Sequence, residues 1–362
     1  MAHGETLIIA EAGVNHNGSL KRAMEMVDAA ANAGADAVKF QTFVPELAVS
    51  KFAKMANYQE QNTGESKSQL ELLRGLALDD AQHVKLRDYC EESGVEFMSA
   101  PFDLQSLDLL AGVLKVKRLK LASSEVTNAP LLVEAGRTGL PVILSTGMSD
   151  LAEIRAALGA LAWGMRETGS PDNASRDFAL AFSEALSEGL LQDRVTLLHC
   201  TTQYPTPPDA VNLRAMQAMT KEFELPVGLS DHSTSTSIAA AAVALGAMVV
   251  EKHFTLDRSL PGPDHVASLE PHELAEMVQN IRDIEAALGD GVKEVQAVEL
   301  ENMPIARKSI VAATAIRKGE SFTEENLLVK RPGGGISPYD YWSLLGQSAV
   351  KDFAEDEQIS VE

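Results

Sequence analysis

The chain has 362 residues, 45% hydrophobic and 23% charged, with a net charge of −21 and only two cysteines, Cys90 and Cys200. That length accommodates one large domain of about 250–300 residues plus a small one, and the composition is that of a globular rather than a disordered chain. The acidic field disfavours nucleic acid and membranes as partners, two distant cysteines make neither a disulfide framework nor a four-cysteine metal site, and no apolar run approaches the roughly 18 residues of a membrane span.

The opening stretch, MAHGETLIIAEAG, has no basic segment leading into a long apolar run, so no signal peptide is expected and a reducing cytoplasm is the expected location. Eight candidate strands follow in order: LIIAEAG (7–13), AVKFQTF (37–43), EFMSAPF (96–102), RLKLAS (118–123), VILSTGM (142–148), VTLLHCTT (195–202), PVGLSDH (226–232) and MVVEKHF (248–254). Helical patterns separate them, from SLKRAMEMVDAAANAGA to EPHELAEMVQNIRDIEAALG, and several end in Gly just past the last apolar position. Eight strands alternating with eight helices predict an α/β fold, a (β/α)8 TIM barrel over 1–288. A doubly wound open sheet is the alternative, but it usually has fewer strands, and no GxGxxG fingerprint is present. Residues 44–78 read as a long polar loop over the barrel mouth, and 164–192 as a second insertion. Residues 289–303 look like a linker, and 304–362 like a small, mostly β domain with runs SIVAATAI, NLLVKRP and SAVKDF.

Barrel enzymes carry their functional groups at the C-terminal strand ends. Here those ends hold Glu11; Lys39 and Gln41; Phe102 and Asp103; Lys120 and Ser123; Ser145 and Thr146; His199, Thr201 and Thr202; Ser230, Asp231 and His232; and Glu251, Lys252 and His253. Apolar strands that all turn polar at one end are hard to explain by packing alone. Alternate strand residues share a face. Lys39 with Gln41, Ser230 with His232, and Glu251 with His253 are therefore each expected to point into the mouth together, with Lys252 facing the helices and Ser123 lying past its strand.

His232 and His253 on adjacent strands suit one divalent metal, which would leave coordination positions for water and substrate oxygens. Two buried, hydrogen-bonded histidines are the alternative. Lys39, Lys120 and the hydroxyls of Ser123, Ser145 and Ser230 make a cradle for a phosphate or carboxylate, although a lone lysine is more often a solvated charge. NHNG (15–18) reads as a turn or as part of the site. His3, His83 and His272 are expected at the surface. SLPGPDHVAS (259–268) has the composition of a lid, and RPGGGIS (331–337) of a turn led by an arginine.

The stretches IIAEAGVNHNGS, VKFQTF, LSTGM, YPTP, LSDH, EKHFT, PGPDH and KRPGGGIS, in order over nearly the whole chain, resemble those of the sialic acid synthases. The resemblance implies a TIM barrel followed by a small C-terminal antifreeze-like (SAF, β-clip) domain, in a domain-swapped homodimer. It implies condensation of phosphoenolpyruvate with the open-chain aldehyde of an N-acetylated mannosamine-type sugar, with C–O cleavage and phosphate release, helped by manganese or magnesium. It gives His232 and His253 as metal ligands, and Glu11 as a catalytic acid/base. It gives Lys39, Lys120, Ser123, Ser145 and Ser230 to phosphoenolpyruvate. Gln41, Asn62 (in QNTGE), Phe102, Glu125 and Tyr204 go to the sugar, and Arg331 to the sugar of the partner subunit. Two positions depart from the pattern: Ala100 stands where a hydroxyl residue is common, and Ser124 where glycine is usual. The expected product is N-acetylneuraminate, with N,N′-diacetyllegionaminate the alternative and pseudaminate a more distant one. A synthase acting on a phosphorylated sugar would need a second basic cluster, which is not found. A non-enzymatic carbohydrate- or ice-binding protein would leave the polar barrel rim unexplained.

Overall fold

A computed structural model describes residues 5–56, 59–60, 62 and 68–361. The chain divides into two compact units, Met1–Asp290 and Gly291–Glu362.

The first unit is built on eight parallel strands: β1 (Leu7–Gly13), β2 (Ala37–Thr42), β3 (Glu96–Pro101), β4 (Leu119–Leu121), β5 (Val142–Ser145), β6 (Val195–Cys200), β7 (Val227–Asp231) and β8 (Val249–His253). They pair in the order β3-β2-β1-β8-β7-β6-β5-β4. This is a barrel closed except at one seam: among the described residues no hydrogen-bonded ladder joins β3 to β4. At the base of that seam Arg118 donates to both carboxylate oxygens of Glu96, at 2.9 and 3.2 Å, a two-pronged contact that holds the strands together by charge.

Both faces of each strand are covered, as a parallel barrel requires. Outward residues such as Ile8, Val38, Leu121, Leu144, Leu197 and Val250 pack against the helices in one large cluster. Inward, Ile9, Ala37, Met98, Ile143, Leu198 and Val249 form a separate apolar plug. Two residues further along each strand the inward position becomes Glu11, Lys39, Ala100, Ser145, Cys200 and Glu251. The polar site is therefore the next side-chain layer above the plug.

β1 has the expected bounds, and the other seven strands end one to three residues earlier than their apolar runs suggest, where polar residues reach the rim. Ser123 begins a 3-10 turn, Ser123–Thr127, past the end of β4. The 44–78 excursion is not simply a polar loop: it contains the helices Pro45–Ala48 and Gln69–Leu76, and Leu72, Leu73 and Leu76 of the second line the cavity. The second insertion is helical as well, with Leu151–Arg166 followed by Ala174–Ser187 and Leu190–Arg194.

In the second unit β9 (Ser309–Ala312) pairs antiparallel with β10 (Leu327–Lys330) over a small core of Ile310, Ile316, Phe322, Leu327, Phe353 and Ile359. SAVKDF contributes only isolated bridges rather than a strand. Among the described residues, no helix is long and apolar enough to cross a membrane.

Candidate active site

The barrel mouth opens on a cavity of about 550 Å³. Strand register sets its floor. Glu11 lies beside Lys39 on one side and His253 on the other, while Ser230 lies beside Glu251 and Cys200. Lys39 pairs with Glu11 at 2.8 Å and with Glu251 at 3.6 Å, and Lys120 pairs with Glu251 at 3.4 Å. Lys120 also donates to Ser145 Oγ at 2.8 Å, and Ser230 Oγ donates to Glu251 at 2.8 Å. Glu251 is thus the shared counter-ion of both lysines.

Two lysines and two carboxylates are buried together, and they do not hold charge equally. Burial alone would raise the Glu251 carboxyl, but Lys120 and Lys39 outweigh it and hold Glu251 at about 2. Burial dominates at Glu11, where Lys39 is the main opposing charge and the neighbouring Glu251 repels, so its carboxyl is pushed up to about 7. Burial also opposes charge on Lys39, but the two glutamates more than offset this and raise it. Lys120 is lowered, chiefly by burial. The floor therefore holds one carboxyl poised to give or take a proton near neutrality.

Beside this lattice stand the two histidines. Their rings lie 5.4 Å apart, and Tyr204 stacks on His232 at 4.2 Å. The Thr201 carbonyl accepts from His232 Nδ1 at 2.7 Å, so Nε2 carries the lone pair, towards which the Tyr204 and Ser230 hydroxyls turn at 3.3 Å each. His253 Nδ1 is buried with no hydrogen-bond partner. Burial holds His232 near 4 and His253 well below its ordinary value, so both rings are neutral. Neutral imidazoles, one with an unpartnered nitrogen and one holding only two 3.3 Å hydroxyl contacts at Nε2, fit a metal ion as donors. Among the described residues, no group of three or more His, Cys, Asp or Glu side chains is placed to hold one.

Every residue that the resemblance gives to the site lines the cavity except Asn62 and Arg331, and of the other polar strand-end residues Thr202 and Glu251 line it while Asp103, Thr146, His199, Thr201 and Asp231 do not. Asn62 donates to the Pro263 carbonyl at 2.6 Å, at the rim. Arg331 belongs to the Gly291–Glu362 unit. Glu125 is buried and accepts from Ser124 Oγ at 2.8 Å and from Asn128 at 2.7 Å, so Ser124 props it in place. Ser123 Oγ accepts from the Gly147 N–H at 2.9 Å. A Cβ at Gly147 would come within 2.3 Å of Thr202 Oγ1 and 3.0 Å of Ser123 Oγ, which is why LSTGM turns on a glycine there. Gly13, at φ +52°, ends β1 at a register shift against β2, and a Cβ there would come within 3.3 Å of Glu11 Oε1.

Other expectations change. NHNG is a strut rather than part of the lining. Asn15 donates to the Phe254 carbonyl at 2.8 Å and to Ser268 Oγ at 3.0 Å, and Asn17 to the Pro261 carbonyl at 2.7 Å. With Thr255 bonded to His265 at 2.7 Å, these contacts pin SLPGPDHVAS, so its lid-like composition serves a fixed wall. His83 is buried, not superficial, between Thr42 Oγ1 and the Asp79 carbonyl, both at 3.0 Å. His272 is exposed as expected, and His3 lies outside the described residues. His199 faces away from the cavity, towards the Val211 carbonyl at 2.7 Å. Asp264 was not singled out by sequence reasoning, yet it lines the cavity with its carboxyl pushed up to about 6 by burial. Its only sequence signal was membership of PGPDH.

The NeuB family profile matches residues 26–293, nearly the whole barrel, and a SAF domain profile matches 307–361. The chain belongs to the NeuB family. It is 45% identical over 355 residues to the N,N′-diacetyllegionaminic acid synthase of Campylobacter jejuni, covering 98% of this chain and 99% of that one. The enzyme of the same name from Legionella pneumophila is 45% identical over 339 residues, covering 94% and 89%. Among solved structures, the N-acetylneuraminic acid synthetase of Leptospira borgpetersenii superposes with a TM-score of 0.66 at 33% identity, covering 83% and 90%. The NeuB-family chain described here is an enzyme, a nonulosonic (sialic-type) acid synthase built of a barrel and a SAF domain.

Proposed function

We propose that the protein condenses phosphoenolpyruvate with open-chain 2,4-diacetamido-2,4,6-trideoxymannose, giving N,N′-diacetyllegionaminate and inorganic phosphate. The observation that carries this choice is the 45% identity, over nearly full length, to two N,N′-diacetyllegionaminic acid synthases, against 33% to the N-acetylneuraminic acid synthetase structure. It replaces N-acetylneuraminate, the product first expected from the sequence.

In this reaction C3 of phosphoenolpyruvate bonds to the aldehyde carbon. Water adds at C2 and loses a proton, the aldehyde oxygen gains one, and phosphate leaves with its bridging oxygen. Lys39 and Lys120, with the hydroxyls of Ser123, Ser145 and Ser230, would bind the phosphate and carboxylate of phosphoenolpyruvate. Glu251 would set the spacing of the two lysines before substrate arrives. Glu11, close to neutrality in its protonation, would exchange the protons that the two additions require. Gln41, Asn62, Phe102, Glu125 and Tyr204 would position the sugar. His232 and His253 would hold a manganese or magnesium ion, with substrate and water oxygens completing its coordination. When bound, such an ion supplies Lewis-acid polarisation of the acceptor carbonyl.

The test is phosphate release from phosphoenolpyruvate with the diacetamido sugar, with N-acetylmannosamine and without sugar, each with and without chelator. Release should need both sugar and metal, and kcat/KM should be higher for the diacetamido sugar. Release indifferent to sugar and metal would exclude the condensing reaction, and preference for N-acetylmannosamine would restore N-acetylneuraminate as the product.

Glu11 also predicts a pH effect on stability. Its carboxyl rises from 4.5 to about 7 on folding. Between those values the native protein keeps a proton that the unfolded chain has lost, so the stabilisation is full below pH 4.5 and disappears as pH rises through 7. Measured on metal-free protein, the stability of wild type relative to Glu11→Gln should fall by about 3 kcal/mol across that window and stay level above it. A difference that does not change with pH would rule out the raised carboxyl.

A further inference from the structure

The cavity lining has two characters. Its floor is ionic, but Val14, Phe43, Leu72, Leu73 and Leu76 also line it and pack together with Phe102 as one apolar cluster. The three leucines come from the helix Gln69–Leu76, which is fixed in place. Ser68 and Glu71 cap its start reciprocally, and Arg74 pairs with Glu46 at 2.8 Å. Leu76 is buried, but Leu72 and Leu73 remain half-buried, so they leave apolar surface facing the cavity. Water against that surface is unfavourable, and an apolar group of a ligand would relieve it. Charge narrows the choice of ligand group. Among the described residues the only lysine or arginine side chains lining the cavity are Lys39 and Lys120, and both are already matched by Glu11 and Glu251. Among the described residues no further cation lines the cavity to answer a phosphate on the far end of the acceptor, and the leucines offer a hydroxyl no partner.

We propose that the Leu72–Leu73–Leu76 face receives the C6 methyl of the acceptor sugar, and so determines the preference for a 6-deoxy sugar over its 6-hydroxy counterpart. This rests on the condensing reaction proposed above and adds the residues that choose its substrate. An apolar pocket distinguishes groups of this size by about 10–200-fold.

The probes are 6-deoxy-N-acetylmannosamine and N-acetylmannosamine, which differ only at C6, with kcat/KM read from phosphate release. Wild type should favour the 6-deoxy probe about 10-fold or more. Leu72→Asn and Leu73→Asn should each bring the ratio towards one, mainly through loss on the 6-deoxy probe. Leu47→Asn, at an exposed position outside the lining, should leave it unchanged. The ratio is taken within one preparation, so a partly unfolded variant still reports it. A wild-type ratio near one, or a ratio that survives both leucine changes while the diacetamido sugar is turned over, overturns this proposal alone. No release with any acceptor overturns the condensing reaction, and the proposal with it.

Discussion

His253→Ala is expected to lower kcat/KM for phosphate release by about 1,000-fold or more, with the fold intact. Polarisation of a carbonyl by a bound ion contributes several kcal/mol, and each 1.36 kcal/mol is about a factor of ten. Little else depends on the ring. Its Nδ1 has no hydrogen-bond partner, and its aromatic neighbours Tyr204 and His232 meet it edge-on at 5.5 and 5.4 Å. Removing it opens space beside an existing cavity rather than a void in the plug. The melting temperature should therefore stay within a few degrees of wild type, and manganese binding followed by calorimetry should disappear together with turnover. Full activity in this variant would exclude a metal role for His253. His232→Ala should lose turnover similarly but unfold more easily, because it also breaks the bond to the Thr201 carbonyl.

The second large effect concerns stability. Lys252→Met is expected to destabilise the barrel by about 3–5 kcal/mol, because removing one partner leaves a buried charge without compensation. Lys252 and Asp231 are 0% and 1% exposed and 2.7 Å apart, on the outward face of neighbouring strands. The ammonium also donates to the carbonyls of Ser233 and Ser235. The pair thus ties β8 to the turn that follows His232. At roughly 2–4 °C per kcal/mol for a domain near this size, melting should drop by about 6–20 °C. Lys252→Met combined with Asp231→Asn should recover part of the loss, since no charge is then stranded. A loss under 1 kcal/mol in the single variant would mean that the pair contributes little.

These residues also show how far the sequence could be read. The alternation of Glu251, Lys252 and His253 places the first and third in the mouth and the second among the helices, and the structure arranges them that way. What Lys252 does there was not legible, because its partners arrive from β7 and the turn after it, and pairing across strands leaves no trace in local spacing. The shared counter-ion role of Glu251 is hidden for the same reason: it depends on three strands meeting at one point. The eight-strand order follows from simple βα alternation, whereas strand ends depend on where the chain meets the rim, and all but that of β1 were placed too late. The inward leucines of Gln69–Leu76 went unnoticed because an eight-residue amphipathic helix inside a polar excursion gives little periodic signal. His83 failed as a surface residue because its burial is decided by Thr42, a residue on another element.

The unlaced seam between β3 and β4 divides the anion cradle in two. Lys120 and its partner Ser145 ride on β4 and β5, while Lys39 and Glu11 ride on β2 and β1. Among the described residues β4 is laddered from one side only, and at the base of the seam a guanidinium–carboxylate clasp stands where a row of amides would be. The two lysines therefore reach the site from opposite sides of the gap, and what joins them is the long way round the sheet together with one carboxylate, Glu251, that both hold.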